Sequence, residues 1–263
     1  MSNSVKQKRA LVTGASSGIG REFALQLAAQ GYGVTGVARR EDRLTALVEQ
    51  MPGEGHDYLV ADLGTDTGVE QVMQYMQGQR VNLLINNAGM SVFDPFYETE
   101  LSQQQHILSV NCASLMKLAH TFLRQSERGD ALINLSSIVA YLPTPTQPMY
   151  SASKAFIAAF SECLWEEHRE RGVYVMGLCP GVTQTEFITN ATGGDADGQT
   201  LPAALIQTTE QVVNEALRAL TARKKAIIVT GWVNRMMMLM PRLLTRHRLL
   251  KVLAVIGDPD NAL

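Results

Sequence analysis

The segment Tyr150-Ser-Ala-Ser-Lys154 places a phenol and an amine four residues apart. On a helix, side chains at this spacing lie one turn apart on the same face. An ammonium group close to a phenol favours the phenolate, which lowers the pKa of the tyrosine from its ordinary value of about 10. Tyr150 could then donate and accept protons near neutral pH. Taken alone, the spacing is better explained by a surface pair, so other motifs must decide.

A glycine-rich segment, Thr13-Gly-Ala-Ser-Ser-Gly-Ile-Gly20, lies between a predicted strand and a predicted helix. Gly14 allows a sharp turn, Gly18 lets the backbone approach a pyrophosphate, and Gly20 allows close packing of helix on strand. The phosphates would sit at the positive end of the helix. The alternative is a glycine turn that binds nothing. The strand before the turn and the helix after it favour a nucleotide site.

The glycine spacing is Gly-x-x-x-Gly-x-Gly, and other motifs follow it in order: Asn86-Asn-Ala-Gly89, Asn111, Ser137 and Pro180-Gly-Val-Thr-Gln-Thr185. On these motifs, the chain from about Lys8 to Val229 resembles the classical short-chain dehydrogenase/reductase family. Several independent motifs in one order argue against chance agreement. The resemblance implies hydride transfer between a nicotinamide cofactor and a carbonyl or alcohol.

The resemblance also implies four catalytic residues: Asn111, Ser137, Tyr150 and Lys154. Ser137 follows a predicted strand at the carboxyl edge of the sheet, where open parallel sheets bind ligands, and would donate to the substrate oxygen. Tyr150 would transfer the proton, and Lys154 would lower the tyrosine pKa and bind the nicotinamide ribose. Asn111 would hold a relay water near the lysine. Ser136 would point away from the site in a structural role.

Cofactor contacts are implied along the same edge. The implied residues are Gly14, Ser16, Ser17, Gly18, Ile19, Gly20, Arg39, Arg40, Asp62, Leu63, Asn87, Ala88, Gly89, Tyr150, Lys154, Pro180, Gly181, Thr183 and Thr185. In the family, the segment after the fourth strand lines the adenosine side, and the segment after the sixth holds the nicotinamide amide.

The second strand ends in Gly36-Val-Ala-Arg-Arg40, with no carboxylate where NAD-binding folds place one for the ribose 2′-hydroxyl. Arginine binds a 2′-phosphate by charge-assisted hydrogen bonds, so we expect NADP(H), with Arg39 as the first contact and Arg40 as the second. The alternative for either arginine is a helix cap or a pair with Glu41 or Asp42. Asp62 resembles the family's adenine contact, and a helix cap is the alternative.

Strand and helix signals alternate along the chain and position these motifs. Strands are predicted at 10–13, 33–38, 57–60, 82–85, 131–135, 173–179 and 226–229. Helices are predicted at 17–29, 41–50, 66–79, 102–126, 150–171 and 210–222. This alternation indicates an α/β fold with one doubly wound, Rossmann-type domain: a seven-stranded, mostly parallel sheet with helices on both faces. We expect this domain over residues 1–230.

Length and composition agree with one enzyme domain. The 263 residues suffice for a single α/β domain, and the formal net charge of −2 indicates no nucleic-acid partner. Three widely spaced cysteines and five histidines without ligand spacing predict neither disulfides nor a metal site. The polar start lacks a signal-peptide core and no apolar run is long enough to span a bilayer, so we expect a cytoplasmic protein.

Three segments are predicted to wall the substrate site: 91–96, 140–143 and 186–201. They offer Phe93, Phe96, Tyr141, Leu142, Phe187 and Ile188, and they contain no arginine or lysine. A neutral, fairly apolar substrate is therefore expected, although each of these residues could belong to the core. The glycine and aspartate cluster at 193–198 predicts a lid that orders on substrate binding.

Residues 231–263 depart from the family pattern, and we expect a helical extension. Residues 232–253 interleave basic and large apolar side chains, as membrane-surface helices do. Packing on the domain or on a partner subunit is the favoured interpretation over membrane contact, because Pro241 interrupts a continuous helix.

The favoured function is an NADP-dependent oxidoreductase acting on a ketone, aldehyde or 3-oxoacyl compound, as a homodimer or homotetramer. A non-catalytic NADP-binding regulator on the same fold is the alternative. Such proteins usually lose the tyrosine or the lysine, and this chain keeps Ser137, Tyr150 and Lys154. Nucleotide-sugar epimerases and dehydratases are a further alternative. They are disfavoured, because they carry a different glycine spacing and a larger C-terminal part.

Overall fold

A computed structural model describes residues 7–186 and 206–256. The strands are β1 Arg9–Thr13, β2 Gly33–Ala38, β3 Asp57–Val60, β4 Leu83–Asn86, β5 Ala131–Leu135, β6 Tyr174–Cys179 and β7 Ile227–Val229. The helices are α1 Gly18–Ala29, α2 Glu41–Gln50, α3 Asp66–Gly78, α4 Leu101–Leu108, α5 Leu115–Gln125, α6 Pro148–Glu167, α7 Thr209–Ala222, α8 Trp232–Met237, α9 Met240–Leu243 and α10 Arg246–Ile256.

The seven strands form one sheet in the order β3-β2-β1-β4-β5-β6-β7, and every neighbouring pair is parallel. The predicted doubly wound sheet with helices on both faces is therefore confirmed. The order of strands reverses beside β1, between β1 and β4. In open sheets of this kind the crevice at the carboxyl ends of the strands there is the usual ligand site.

Two apolar layers cover the sheet. Along β1, Ala10 and Val12 face the layer built by α1, α2 and α7, whereas Leu11 faces the layer built by α3, α5 and α6. This alternation with burial on both sides is the pattern of a central parallel strand. Because both faces are covered, the polar residues that follow the strands are confined to the carboxyl edge.

The predicted long helix at 102–126 is not a single regular α-helix. A π-helical segment, Ser109–Ser114, separates α4 from α5 and contains Asn111. Helix α6 begins at Pro148, two residues before the predicted start, because proline is well suited to the first helical turn. It ends at Glu167 rather than at Arg171, and Gly172 follows with a φ of 71°.

The C-terminal segment forms three short helices, α8 to α10. As predicted, the helical path is broken around Pro241, which lies in the first turn of α9. Leu249 and Leu253 of α10 are buried and form a small cluster with Leu142 of the domain. The inner face of the segment therefore packs on the domain, which is the favoured interpretation. Within the part of the chain that the structure describes, no helix is long and apolar enough to cross a membrane.

Candidate active site

The glycine loop connects β1 to α1 and passes close to β4. Gly14 and Gly18 have φ values of 67° and 56°, the left-handed region that favours glycine. A Cβ atom on Gly14 would lie 2.7 Å from Asn87 Nδ2, and one on Gly20 would collide with Asn87 Nδ2 and the Gly14 carbonyl. A Cβ atom on Gly18 would lie 3.1 Å from Thr185 Cγ2. The glycines therefore leave room for Asn87, the Gly14 carbonyl and Thr185.

Asn87 fixes this loop to the end of β4. Its Nδ2 donates to the Thr13 carbonyl at 2.8 Å, and its backbone N–H donates to Thr13 Oγ1 at 2.9 Å. Ala88 N–H donates to the same hydroxyl at 3.0 Å. Two side chains thus hold the loop in position, which leaves the amino end of α1 at the carboxyl edge of the sheet.

The two arginines after β2 occupy different environments. Arg40 donates to Ser16 Oγ at 3.1 Å and to Ser17 Oγ at 3.2 Å, whereas Arg39 is exposed. Arg40 is also 3.5 Å from the Glu186 carboxylate, which Arg43 contacts at 2.7 Å. Neither Glu41 nor Asp42 takes the predicted alternative role of partner. Arg40 therefore contacts the glycine loop directly, and the order of the two arginines in binding a 2′-phosphate stays a prediction.

Asp62 turns the chain after β3, and Oδ1 accepts from Gly64 N–H at 2.9 Å. The cap of α3 is Thr65, whose hydroxyl accepts from Gly68 N–H at 3.1 Å. The helix-cap alternative for Asp62 is therefore wrong. Leu63 is buried in one core layer, against which Ala88 packs, and Ile19 packs against the layer on the other face of the sheet. Cofactor contact by these three residues stays a prediction.

Ser137, Tyr150 and Lys154 converge beyond the ends of β5 and β6. Ser137 is hydrogen-bonded to the Tyr150 hydroxyl group, and the Lys154 Nζ lies 5.4 Å from the centroid of the tyrosine ring. Lys154 is buried, and its ammonium donates to the Leu135 carbonyl at 2.8 Å. Ser137 Oγ also accepts from Val139 N–H at 3.3 Å and faces the Pro180 carbonyl at 3.4 Å.

The pKa of Tyr150 is raised, not lowered as predicted. Burial raises the pKa of Tyr150 to about 12, and the hydrogen bond with Ser137 opposes part of that rise. Burial also lowers the pKa of Lys154 to about 8. The physical reason is that removal from water penalises the charged form of both groups. The ammonium, moreover, sits over the ring and bonds a carbonyl group.

Asn111 lies in the π-helical segment and is fully buried. Its Oδ1 accepts from Met90 N–H at 2.9 Å, and its Nδ2 donates to the Met90 carbonyl at 2.9 Å and to Ser153 Oγ at 3.0 Å. A Cβ atom on Gly89 would lie 3.4 Å from Asn111 Oδ1 and 3.5 Å from Lys154 Nζ. The asparagine therefore joins the segment after β4 to α6, close to the lysine.

Ser136 has the structural position predicted for it. Its hydroxyl donates to the Lys154 backbone carbonyl at 2.7 Å and is hydrogen-bonded to the Cys179 thiol. Burial raises the pKa of that thiol to about 12, so Cys179 is a protonated core residue. Among residues 7–186 and 206–256, no cluster of histidine, cysteine and carboxylate side chains could hold a metal ion.

The segment after β6 contacts both the glycine loop and the extension. Thr185 lies beside Gly18, and Thr183 donates to the Gly181 carbonyl at 3.1 Å. Gly181 lies against Asn234 of α8, because a Cβ atom there would collide with the asparagine side chain. Pro180 accepts from Ile138 N–H at 3.0 Å, which fixes the turn that carries Ser137.

Two of the predicted substrate walls are described. Ser91 Oγ donates to Gln147 Oε1 at 3.0 Å, which ties the first wall to the start of α6. Phe93 is partly buried and Phe96 is 48% exposed, whereas Leu142 is buried against α10. Leu142 thus belongs to the core alternative. Phe187, Ile188, the remainder of the third wall and the predicted lid at 193–198 lie outside the described residues.

Sequence reasoning missed three contributors to this site: Glu186, Arg43 and the Leu135 carbonyl. Glu186 and Arg43 are 143 residues apart, so no local spacing indicates their contact. The Leu135 carbonyl is a backbone group, and only the placement of α6 over β5 shows that it receives the lysine. The position of Arg43 on the first turn of α2 was a weak signal, since it follows Arg40 by three residues.

Comparisons with known proteins agree with the fold and the motifs. The family model for short chain dehydrogenase matches residues 8–195. Sulfoacetaldehyde reductase 2 of Chromohalobacter salexigens is 32% identical over 192 residues, which is 70% of this chain and 76% of that protein. Human 17-beta-hydroxysteroid dehydrogenase type 3 is 31% identical over 183 residues, 67% of this chain and 59% of that protein.

A solved structure of a short-chain dehydrogenase from Sphingobium yanoikuyae in complex with NADPH has a TM-score of 0.77 at 29% identity, covering 84% of this chain and 87% of that one. The chain spans less than two thirds of the length of the mouse and human 17-beta-hydroxysteroid dehydrogenases type 3. The family resemblance is nevertheless confirmed over most of the chain. The protein belongs to the short-chain dehydrogenase family.

Proposed function

We propose that this protein is an oxidoreductase that uses NADP(H) to interconvert a carbonyl group and an alcohol on a neutral, fairly apolar substrate. The single observation that carries the proposal is the convergence of Ser137, Tyr150 and Lys154 at the carboxyl edge of the sheet, beside the glycine loop. Ketones, aldehydes and 3-oxoacyl compounds are the substrate classes. Relatives named for hydroxysteroids and for very-long-chain 3-oxoacyl-CoA support this range.

The residues present fit the cofactor. The left-handed Gly14 and Gly18 form a cradle at the amino end of α1, where the helix dipole favours phosphate groups. Arg40, with Ser16 and Ser17 beside it, offers charge-assisted donors for a 2′-phosphate. Lys154 would bind the nicotinamide ribose, and Thr183 and Thr185 would hold the nicotinamide amide. When bound, NADPH supplies the two electrons and the hydrogen that reduce the carbonyl carbon.

The side chains then complete the reduction at the oxygen atom. Ser137 donates a hydrogen bond to the carbonyl oxygen and stabilises the negative charge that develops there. Tyr150 gives its phenolic proton to the same oxygen. Although the pKa of Tyr150 is about 12, an alkoxide is a stronger base than a phenolate, so the transfer is favourable. Lys154 remains mostly protonated at neutral pH and offsets the charge of the resulting phenolate.

Activity is tested by the loss of NADPH absorbance with panels of ketones, aldehydes and 3-oxoacyl thioesters. Tyr150→Phe is expected to lower turnover by at least about a hundredfold while NADPH binding is retained. Tyr174→Phe is the matched control, because that buried tyrosine lies at the amino edge of the sheet and bonds the Lys225 carbonyl. Near-wild-type turnover in Tyr150→Phe would sink the mechanism.

Cofactor choice is tested by separate titrations with NADPH and NADH. Arg40→Ala is expected to weaken NADPH binding about tenfold or more and to leave NADH binding nearly unchanged, since a charged hydrogen bond is lost only with the phosphate. Arg39→Ala is the neighbouring control. A larger selective loss in Arg39→Ala would restore the predicted order. Equal losses for both cofactors would count against any 2′-phosphate contact.

We also propose a homodimer or homotetramer in the cytoplasm, with residues 1–230 as the catalytic domain and 231–263 as an extension. Exposed apolar side chains on neighbouring helices support self-association: Leu101, Leu108, Met116 and Phe156. Sedimentation velocity of the full chain measures the assembly, and a monomer at micromolar concentration would refute the proposed oligomer.

The free thiols of Cys112, Cys163 and Cys179 support a reducing compartment.

A further inference from the structure

The C-terminal extension carries an unusual charge. Residues 232–256 contain Arg235, Arg242, Arg246, Arg248 and Lys251 and no aspartate or glutamate. These residues therefore carry a formal charge of +5. With Asp258 and Asp260 the whole extension, residues 231–263, carries +3, and the rest of the chain carries −5, since the total is −2. Such an asymmetry between two parts of one chain indicates an anionic binding partner for the cationic part.

Most of these cations are unpaired within the described part of the protein. Arg235 contacts Glu215 of α7 at 2.7 Å. The other four side chains form no ion pair with any residue in the ranges 7–186 and 206–254, and all four are exposed. Their charge is therefore directed to solvent rather than used to hold the extension on the domain.

Large apolar side chains are exposed between these cations. Trp232 is 66% exposed, Met236 59%, Leu239 48% and Leu243 80%. On α10, Leu250 and Val252 are each 38% exposed. We call the exposed apolar and basic side chains of residues 232–252 the outer surface of the extension. Apolar groups recur along it at three- and four-residue steps, from Trp232 through Met236 and Leu239 to Leu243.

The inner face is held by different residues. Leu249 and Leu253 are 2% and 8% exposed and pack on Leu142. Asn234 is buried and donates to the Thr230 carbonyl at 2.9 Å. Because the inner residues hold the extension in place, the exposure of the outer surface is a property of the packed protein and does not result from an undocked tail. Leu142 also places the inner face of the extension against segment 140–143, a predicted wall of the substrate site.

We propose that the outer surface of the extension docks the protein onto an anionic lipid bilayer. Tryptophan and long apolar side chains enter the headgroup region, while arginine and lysine extend to the lipid phosphates. Each basic residue near such a surface strengthens the attraction. The docking would present the substrate site beside the apolar phase that holds poorly soluble carbonyl compounds.

Other occupants fit less well. A second copy of the chain would bring two cationic surfaces together, which like-charge repulsion opposes. Nucleic acids bind basic surfaces, but exposed leucine and methionine side chains add nothing to phosphate contacts. An acidic protein remains a competing partner, and a vesicle assay separates it from a bilayer because the vesicles carry no protein.

The experiment is co-sedimentation of the full chain with vesicles. Vesicles of phosphatidylcholine and phosphatidylglycerol in equal parts are expected to bind the protein at least about tenfold more tightly than vesicles of phosphatidylcholine alone. Binding is expected to weaken as salt is added, because the ionic component is screened. Absence of binding to the anionic vesicles would overturn the proposal.

Matched variants locate the binding surface. The triple change Arg242→Gln, Arg246→Gln and Arg248→Gln is expected to lower affinity for anionic vesicles by at least about tenfold. The control triple, Arg218→Gln, Lys224→Gln and Lys225→Gln, removes the same charge from exposed positions on α7 and the turn after it. Equal losses in both triples would show that binding follows net charge only and would overturn the assignment.

Apolar insertion has its own variant. Trp232→Ser with Leu243→Ser is expected to weaken binding about tenfold or more while it leaves the salt dependence in place. Sedimentation velocity of the same variant, without vesicles, tests the competing use of the surface. A shift of the wild-type assembly to a smaller species, with vesicle binding unchanged, would make this surface a subunit interface and refute docking to lipid.

Discussion

Burial determines the acid–base properties of Tyr150 and Lys154 more than their mutual proximity does. The phenol, with a pKa of about 12, is fully protonated at neutral pH and is suited to donate a proton. The amine, with a pKa of about 8, is close to its titration point. At the scale of single residues, the sequence therefore identifies the groups and their spacing. It does not predict their pKa values, because desolvation depends on elements that are distant in the chain.

The buried lysine makes protein stability depend on pH. Its pKa is about 8 when folded and 10.5 in an ordinary environment. Below pH 8 the lysine is charged in both the folded and the unfolded protein, so the free-energy cost of burying the charge is fully present. Between the two values the unfolded chain holds the additional proton, so stability rises with pH.

Relative to Lys154→Met, which cannot titrate at this position, the wild-type protein is expected to gain up to about 3 kcal/mol across this window. Urea denaturation of both proteins at a series of pH values measures the difference, and the other titrating groups cancel. The comparison uses only the slope, since the variant also loses the hydrogen bond to the Leu135 carbonyl. If the difference in unfolding free energy between the two proteins does not change with pH, the lowered pKa of Lys154 is contradicted.

Glu186 pairs with Arg43 and lies 3.5 Å from Arg40, the arginine proposed to contact a 2′-phosphate. Arg43 and, less closely, Arg40 hold the pKa of this carboxyl group below its usual range, so it is ionised at neutral pH. Glu186→Gln is expected to tighten binding of 2′,5′-ADP about two- to fivefold, since an exposed ion pair no longer competes. Binding of 5′-AMP is expected to stay constant. Calorimetry with the two nucleotides measures both.

The control for this prediction is Glu170→Gln, which removes the same charge from an exposed position without an ion pair among the described residues. If Glu170→Gln tightens binding equally, overall charge explains the effect. If 2′,5′-ADP binds no better than 5′-AMP in every variant, the NADP assignment itself is wrong, and that outcome is distinct from failure of the competition.

At the scale of elements, the glycine loop shows why spacing alone is an incomplete guide. The three glycines predict a turn at a helix end, and this prediction agrees with the structure. Gly20, however, makes room for Asn87 Nδ2 and the Gly14 carbonyl rather than only for a sheet strand. The fixing of β1 to β4 through Asn87 is a contact between segments that are far apart in sequence, so only the fold reveals it.

Gly20→Ala is expected to destabilise the protein by about 1–3 kcal/mol, because a methyl group must displace backbone and a bonded amide. Gly78→Ala is the matched control at the end of α3, where an added Cβ meets nothing within 4 Å. That change is expected to be neutral or slightly stabilising. Thermal unfolding of both variants measures the contrast, and equal melting temperatures would contradict the close approach.

Element boundaries were predictable where the local signals were strong. The ranges of β2, α2, β3 and β5 agree with prediction to the residue. The long helix at 102–126 was predicted without its π-helical segment, since an extra residue per turn leaves no local composition signal. Asn111 could nevertheless be predicted, because the prediction rests on its motif and does not depend on the local helix geometry.

At the scale of the whole molecule, the extension packs on the catalytic domain through the cluster of Leu142, Leu249 and Leu253. Leu249→Ala is expected to loosen α10 and to speed tryptic cleavage at Arg246, Arg248 and Lys251 by about tenfold or more, because a buried leucine is lost. Leu250→Ala is the neighbouring control, since that side chain is 38% exposed. Mass spectrometry of the fragments measures the rates, and equal rates would contradict the docking on Leu142.

The position of Leu142 has a thermodynamic consequence. The residue lies five positions after Ser137 and also belongs to the cluster with Leu249 and Leu253. A ligand that restrains the predicted substrate wall at 140–143 would stabilise the packed extension, and by reciprocity an ordered extension would raise the affinity for that ligand by the same factor. Slower tryptic cleavage at saturating substrate would therefore measure a coupling free energy. Any surface that holds the extension in place would act on the substrate site without touching it.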